Sequence, residues 1–230
     1  MSQPNHVVGK PVRKVDGVKL VAGRAVYTDD IQLSGMLYGK ILASPHAHAR
    51  IKRIDAGKAK ALPGVVMVLT YQDVPRVPHT TAGQSWPEPS PYDTYLLDNK
   101  VRFVGDRVAA VAAESRAIAE AAVALIEVEY EILPAVLDME QADASGASVI
   151  HDEPDSTGIH DAPHNVAGQL LREVGNADQG FREADYIFSH EYRTSRQQHC
   201  SMEPHVTIAW LDEDDRLRSE ERRVGKECRL

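Results

Sequence analysis

Two short stretches of this sequence carry side chains that could do chemistry. The first is RQQHCSMEPH, residues 196–205, which packs Gln197, Gln198, His199, Cys200, Glu203 and His205 into one connection between two expected strands. His199, Glu203 and His205 supply nitrogen and oxygen donors of the kind that hold a metal, with a spacing that matches no zinc pattern. A Cys200–His199 nucleophile pair is a second chemistry, but neighbours on an extended chain point to opposite sides and so separate a thiol from its base. A polar segment lining a cofactor held elsewhere is a third, and a hydrogen-bonded structural turn the fourth. The second stretch is SPHAHAR, in which His46 and His48 alternate. That spacing puts two imidazoles on one face of a strand, a geometry metals use. No third ligand stands nearby in sequence, so a turn-stabilising or surface role is the simpler expectation.

What is missing narrows the field. There is no glycine-rich phosphate loop, no HExxH, no GxSxG and no CxxC pair, so nothing in the chain is self-sufficient for catalysis. A formal charge of -8, from 26 basic and 34 acidic residues, argues against nucleic acid or an anionic membrane as partner. The opening MSQPNHVVGK lacks a basic region followed by an apolar run, and no window approaches about 18 consecutive apolar residues. No membrane partner and a cytoplasmic location are therefore expected. Cys200 and Cys228 are too few and too distant for a disulfide framework, which fits a reducing compartment.

The elements that would position these residues are best marked between Val101 and Pro134. Arg107–Ala113 has the length of a buried strand, Ser115 can cap a helix, and Ile118, Ala121, Ala122 and Leu125 recur as one helical stripe. From Glu127 the period changes to two, with Val128, Tyr130 and Ile132 opposite Glu127, Glu129 and Glu131, until Pro134 stops the pairing. Upstream, Lys19–Tyr27 holds strand-like pieces broken at Gly23. Met36–Ala43 and Ala49–Asp55 are strands joined across Ser44-Pro45-His46, Ala56–Leu62 a short helix, and Val65–Leu69 an apolar strand. Five prolines make Val74–Pro91 a long surface loop. Downstream, Asp138–Asn165 lacks any apolar period and reads as a boundary or crossing linker. Gly168–Val174 is an expected strand, Asn176–Gln179 a capping box opening a short helix, Asp185–Thr194 a strand with one aromatic side, and His205–Leu211 another strand. The fold class is α+β.

Several long stretches in order resemble one family: GKPVRKVDGVKLVAGRAVYTDDI, LYGKILASPHAHARIKRIDAGKAKALPGVVMVLT, LLDNKVRFVGDRVAAVAAE and ALIEVEYEILPAV. Together they look like the start of the molybdenum-binding large subunit of the xanthine dehydrogenase and aldehyde oxidase family, over about residues 8 to 142. The resemblance implies an α/β hammerhead domain at 18–142, set between a lead-in at 1–17 that its turn signals mark as extended and a linker at 143–165. It makes 166–217 the truncated start of a molybdopterin-binding domain. It also implies oxidation of an aldehyde or N-heterocycle with water-derived oxygen at molybdenum-molybdopterin. Electrons would pass to 2Fe-2S and FAD centres on an iron-sulfur subunit and an FAD-binding subunit. The segment matching QHCSMEPH lies near the cofactor domain interior in that family, which makes Gln198, His199, Glu203 and His205 pocket-shell residues. The family's GGGFGG-type segment, its glutamine-bearing segment and its catalytic glutamate have no counterpart here, so no residue is assigned a catalytic or metal-binding role. This chain alone is therefore expected to be an inactive N-terminal fragment. Arg218–Cys228, RSEERRVGKEC, looks like the translation of a sequencing-adapter oligonucleotide, which makes 218–230 an expected non-native tail. Two other classes stay open: a non-catalytic binding or assembly module using Val74–Pro91 and residues 1–17, and a metal-dependent hydrolase built on the histidines.

Overall fold

The computed structural model describes residues 8–81, 91–195, 197, 200 and 205–221. Two compact units divide the chain, one of Gly35–Tyr186 and the other of Met1–Ser34 with Ile187–Leu230. In chain order the helices and strands are α1 Gly17–Val21, β1 Tyr38–Ala43, β2 Ala49–Asp55, α2 Gly57–Lys60, β3 Val65–Thr70, β4 Lys100–Val101 and β5 Arg107–Ala113. They continue with α3 Arg116–Ala124, β6 Glu127–Ile132, α4 Met139–Ala142, α5 Ala177–Glu183, β7 Thr207–Leu211 and β8 Leu217–Glu221. The mixture is α+β.

The Gly35–Tyr186 unit is built on two antiparallel three-stranded sheets, ordered β1-β5-β3 and β4-β2-β6. Helix α3 lies on the first sheet. Ser115 Oγ accepts the Ile118 N–H and starts the helix, and Lys40 Nζ on β1 reaches Glu120 on the helix at 3.1 Å. The contact is made of small residues: Ala119 and Ala122 on α3 meet Ala109, Val111 and Ala113 on β5, and alanine on both sides lets helix and strand approach closely. The buried stripe therefore runs Ala119, Ala122 and Ile126, with Ile118 and Leu125 at its margins, whereas Ala121, expected inside, faces solvent. A second cluster, Ala49, Ile51, Val101 and Val108, fills the other sheet's inner side, and Leu42, Ile54 and Val128 pack against both clusters. Across β2 and β6, Arg50 stands opposite Glu131 and Arg53 opposite Glu129, whereas Glu127 stands opposite Asp55 and takes its cation, Lys58, from α2. Ile132, at the end of β6, is exposed despite the expected inward face.

Three stretches expected as strands take other conformations for one physical reason. A strand satisfies its backbone only if a neighbour pairs with it. Lys19–Tyr27 closes bonds locally instead: Leu20 N–H donates to Asp16 and Ala22 N–H to Val18, giving α1. Gly168–Val174 and Asp185–Thr194 find no ladder partner among the described residues and form no strand, leaving Tyr186, Phe188 and Tyr192 exposed. Between them Asn176 caps α5 by accepting from Gln179 N–H, while the Gln179 side chain turns forward to Glu183.

The other unit contains α1, a 3-10 turn at Thr28–Asp30 and the β7–β8 hairpin, turned by Asp212, whose carboxylate accepts from the Asp214 and Arg216 amides. Residues 218–221 of the expected foreign tail belong to β8; residues 222–230 lie outside the described residues.

Candidate functional site

Of the four pocket-shell residues expected from the sequence, Gln198, His199 and Glu203 lie outside the described residues. His205 is exposed just ahead of β7, and Cys200 is exposed with a left-handed backbone, φ 50°. The Gln197 amide donates to Ser195 Oγ at 2.8 Å. The described part of the segment thus brings no acid, base and nucleophile together.

His46 and His48 do not converge on a shared point. The His46 ring meets Tyr130 edge-on at 4.8 Å, and Ser44 Oγ both accepts the His46 N–H and donates to its carbonyl. His48 is buried, with Nδ1 2.7 Å from the Pro134 carbonyl. A carbonyl only accepts, so the proton of the neutral ring sits on Nδ1. Burial pushes this imidazole below its usual range, overriding the hydrogen bond to Pro134 that would favour the charged form. The pair stabilises a turn and ties the end of β6 to it. Among the described residues no group of three or more His, Cys, Asp or Glu is placed to hold a metal ion.

The chemistry-bearing side chains that do gather lie elsewhere, along the unpromising stretch Asp98–Arg102. Asp98 bridges two guanidiniums, accepting from Arg76 Nε and Arg102 Nη2 at 2.9 Å each. Arg102 also donates to Glu153 at 2.6 Å, and Glu153 takes a second bond from the His151 ring at 2.9 Å. Lys100 is 3% exposed, with its ammonium 2.6 Å from Asp152 and 2.6 Å from the Ile150 carbonyl. Arg50 pairs with Asp152 at 2.5 Å, and Arg76 also with Asp155. Arg76 and Arg102 further lie over the Tyr95 ring, 3.9 and 5.3 Å from its centroid. A cleft of about 330 Å³ opens beside them, lined by Asp93, Tyr95, Asp98, Arg102, Phe103 and His151 among others.

The electrostatics of this cluster are those of a closed account. Four cations, Arg50, Arg76, Lys100 and Arg102, face four carboxylates, Asp98, Asp152, Glu153 and Asp155. Burial works against the Glu153 charge, but the hydrogen bond from His151 and the Arg102 charge hold its carboxyl down at about 2. Burial likewise opposes Asp152, which Lys100 and Arg50 hold below its usual range. Burial pushes the Lys100 ammonium down even with Asp152 beside it. A carboxylate held this acidic is a poor general base near neutral pH, so the cluster is suited to holding chain rather than moving protons.

Sequence reasoning missed this site. A signal was present: Asp98, Lys100 and Arg102 alternate at i, i+2 and i+4, and DEPD at 152–155 is their charge complement some fifty residues on. The alternation is in charged residues and its complement lies some fifty residues away, so apolar patterning passed over both.

Residues 22–134 match the a/b hammerhead domain of aldehyde oxidase and xanthine dehydrogenase, and residues 159–221 match a molybdopterin cofactor-binding domain. A probable hypoxanthine oxidase, XdhD, of Escherichia coli O157:H7 is 39% identical over 91% of this chain and 25% of its own length. The xanthine dehydrogenase molybdenum-binding subunit of the same organism is 37% identical over 89% of this chain and 26% of its own. The crystal structure of the Cu,Mo-CO dehydrogenase in its carbon monoxide reduced state superposes with a TM-score of 0.75 at 31% identity, over 93% of this chain and 27% of that one. The chain spans about a quarter of the length of each of these three.

Do the described residues of 159–221 fit a phosphate-bearing cofactor? Ile208 is the one buried side chain among them. Arg193, Arg216 and Arg218 each pair with a nearby carboxylate, Glu191, Asp214 and Asp212, and Arg172 and Arg182 are exposed. Within each unit taken by itself these described residues form no cradle of converging donors, so neither part fits the group by itself, and no chemical step is derived through it.

Proposed function

Because this chain belongs to the aldehyde oxidase and xanthine dehydrogenase family of molybdenum oxidoreductases, we propose that it supplies the hammerhead domain and the opening of the molybdopterin-binding domain of a molybdenum hydroxylase large subunit. The observation that supports this best is the order of the two matches, hammerhead then cofactor-binding domain, over a quarter of the relatives' length. In the full subunit the activity is oxidation of an aldehyde or N-heterocyclic compound with water-derived oxygen, in the cytoplasm, with electrons passed to iron-sulfur and FAD-binding partners. Among the described residues no helix is long and apolar enough to cross a membrane, which suits that setting. Gln198, His199, Glu203 and His205 are proposed as shell residues of the cofactor pocket, completed by protein beyond this chain. Residues 18–142, 143–165 and 166–217 are its proposed hammerhead, linker and cofactor-domain portions.

Alone, the chain is proposed to be inactive. Its described residues bring no base, nucleophile or metal-ligand set together. The test is dye reduction by the purified 230-residue chain with aldehyde and N-heterocycle panels, after reconstitution with molybdopterin cofactor. No turnover is expected; robust substrate-dependent reduction by this polypeptide would overturn the proposal.

A further inference from the structure

Residues 135–158 fall between the two family matches, and their composition is that of a linker. The chain there is nonetheless sewn down at successive points. Asn165, with φ 59°, uses its amide nitrogen to bond the Ala142 and Ser148 carbonyls at 2.8 and 3.2 Å and its oxygen to accept the Ile150 N–H at 2.8 Å. The Ile150 carbonyl and Asp152 hold Lys100, Glu153 holds Arg102, and Asp155 holds Arg76. Thr157 bridges to Tyr92, and Gly158, with φ +70°, leaves so little room that an added Cβ would stand 2.8 Å from the Tyr92 ring.

These attachments differ in kind from those of the core. The sheets and α3 are held by two apolar clusters, and neither contains a residue of 150–158. Ordering an irregular segment costs about 1–2 kcal/mol of backbone entropy per residue. Here that cost is offset chiefly by charge-assisted hydrogen bonds, the strongest of the common kinds. Lys100 and Glu153 are buried together with this segment, and lifting it off would return both to water. Opening therefore exchanges paired, desolvated charges for solvated ones and leaves the apolar clusters untouched.

We propose that residues 150–158 are a clasp, pinned by Lys100, which fixes the crossing between the two family modules onto the Gly35–Tyr186 sheets and opens as a unit while those sheets stay folded. It depends only on this chain's own residues and holds whether or not the full subunit has the activity proposed above. Hydrogen exchange by mass spectrometry on the full 230-residue chain tests it, comparing the unaltered protein, Lys100→Met, and Arg53→Met as a control that removes an exposed pair with Asp55. Lys100→Met is expected to speed exchange across 150–158 at least about ten-fold, the equivalent of about 1.4 kcal/mol, with β5 and α3 unchanged and the control unaltered throughout. Unchanged exchange at 150–158 would overturn the clasp. Equal acceleration in β5 and α3 would also overturn it, because the segment would then open only with the core. If Lys100→Met does not fold, Asp152→Asn, altered at a partly exposed side chain on the clasp itself, is read by the same outcomes.

Discussion

Glu153 makes the ion cluster measurable, because its charge is tied to two named partners and its carboxyl titrates far from the ordinary range. The side chain is 10% exposed, so solvent screens it little. Its folded-state value of about 2 lies below the 4.5 of an unperturbed glutamate, so the folded protein holds the charged form more tightly than the unfolded chain does. The stabilisation is full above pH 4.5 and is lost as pH falls from there towards 2. At about 1.4 kcal/mol for each pH unit the whole effect is about 3 kcal/mol. Glu153→Gln should therefore cost about 3 kcal/mol at pH 7. That is near the low end for breaking a buried pair, because Arg102 keeps Asp98 and the Lys100 carbonyl. Urea unfolding followed by circular dichroism at pH 7, 5, 4 and 3 gives the difference between the two proteins. It should be flat from 7 to 5 and then narrow steadily. A gap that is the same at pH 3 as at pH 7 would refute the reasoning, since it would show that the variant disturbs packing and not a charge.

Three further outcomes follow from single contacts. Ser115→Ala removes the acceptor for the Ile118 N–H and should lower stability by about 1 kcal/mol in urea titration, with α3 still present by circular dichroism. Ala122→Leu forces a branched side chain into the α3–β5 contact, where the residue is fully buried. It should cost about 1–3 kcal/mol, read as an earlier urea midpoint. His48 has a folded value below its unfolded 6.5, so its contribution is full at pH 6.5 and above and falls as pH drops below 6.5. An NMR titration of the ring should show a midpoint below the 6.5 of an unperturbed histidine, and a midpoint at or above 6.5 would refute the burial argument.

The parts of the fold that the sequence shows most clearly are those whose signal is local. β5, α3 and β6 announce themselves because a period of 3.6 in Ile118, Ala122 and Leu125 gives way to a period of two from Glu127, and Ser115 marks the join. Alternation in Asp185–Thr194 is just as regular, yet no strand forms there among the described residues. A pattern states which side chains would share a face, not whether a partner strand exists to bond the backbone. The ion cluster lay hidden for a different reason. Lys100 and Asp152 are each unremarkable surface residues by type, and only the path of the chain puts one against the other. Of the residues singled out for chemistry, His48 stands beside the turn but is buried and not at the surface, and its tie to the end of β6 became visible only in three dimensions.

Burying so many charges where apolar side chains could sit needs a reason, since a buried ion pair is commonly no more stabilising than a well-packed hydrophobic replacement. Register supplies one. Asp152 answers Lys100 and Arg50, Glu153 answers Arg102, and Asp155 answers Arg76, so each carboxylate of DEPD meets its own cations. Sliding the segment by one residue would set Glu153 against Lys100 but Pro154 against Arg102 and Ser156 against Arg76, removing two of the three carboxylates the segment supplies. Arg102 and Arg76 would each keep Asp98 but lose a charge-assisted bond, whereas an apolar segment slid by one position loses less, because nonpolar contacts are not directional. A charged linker thus holds one alignment where a greasy one would tolerate several, and the chain leaving it starts from one defined place on the sheets.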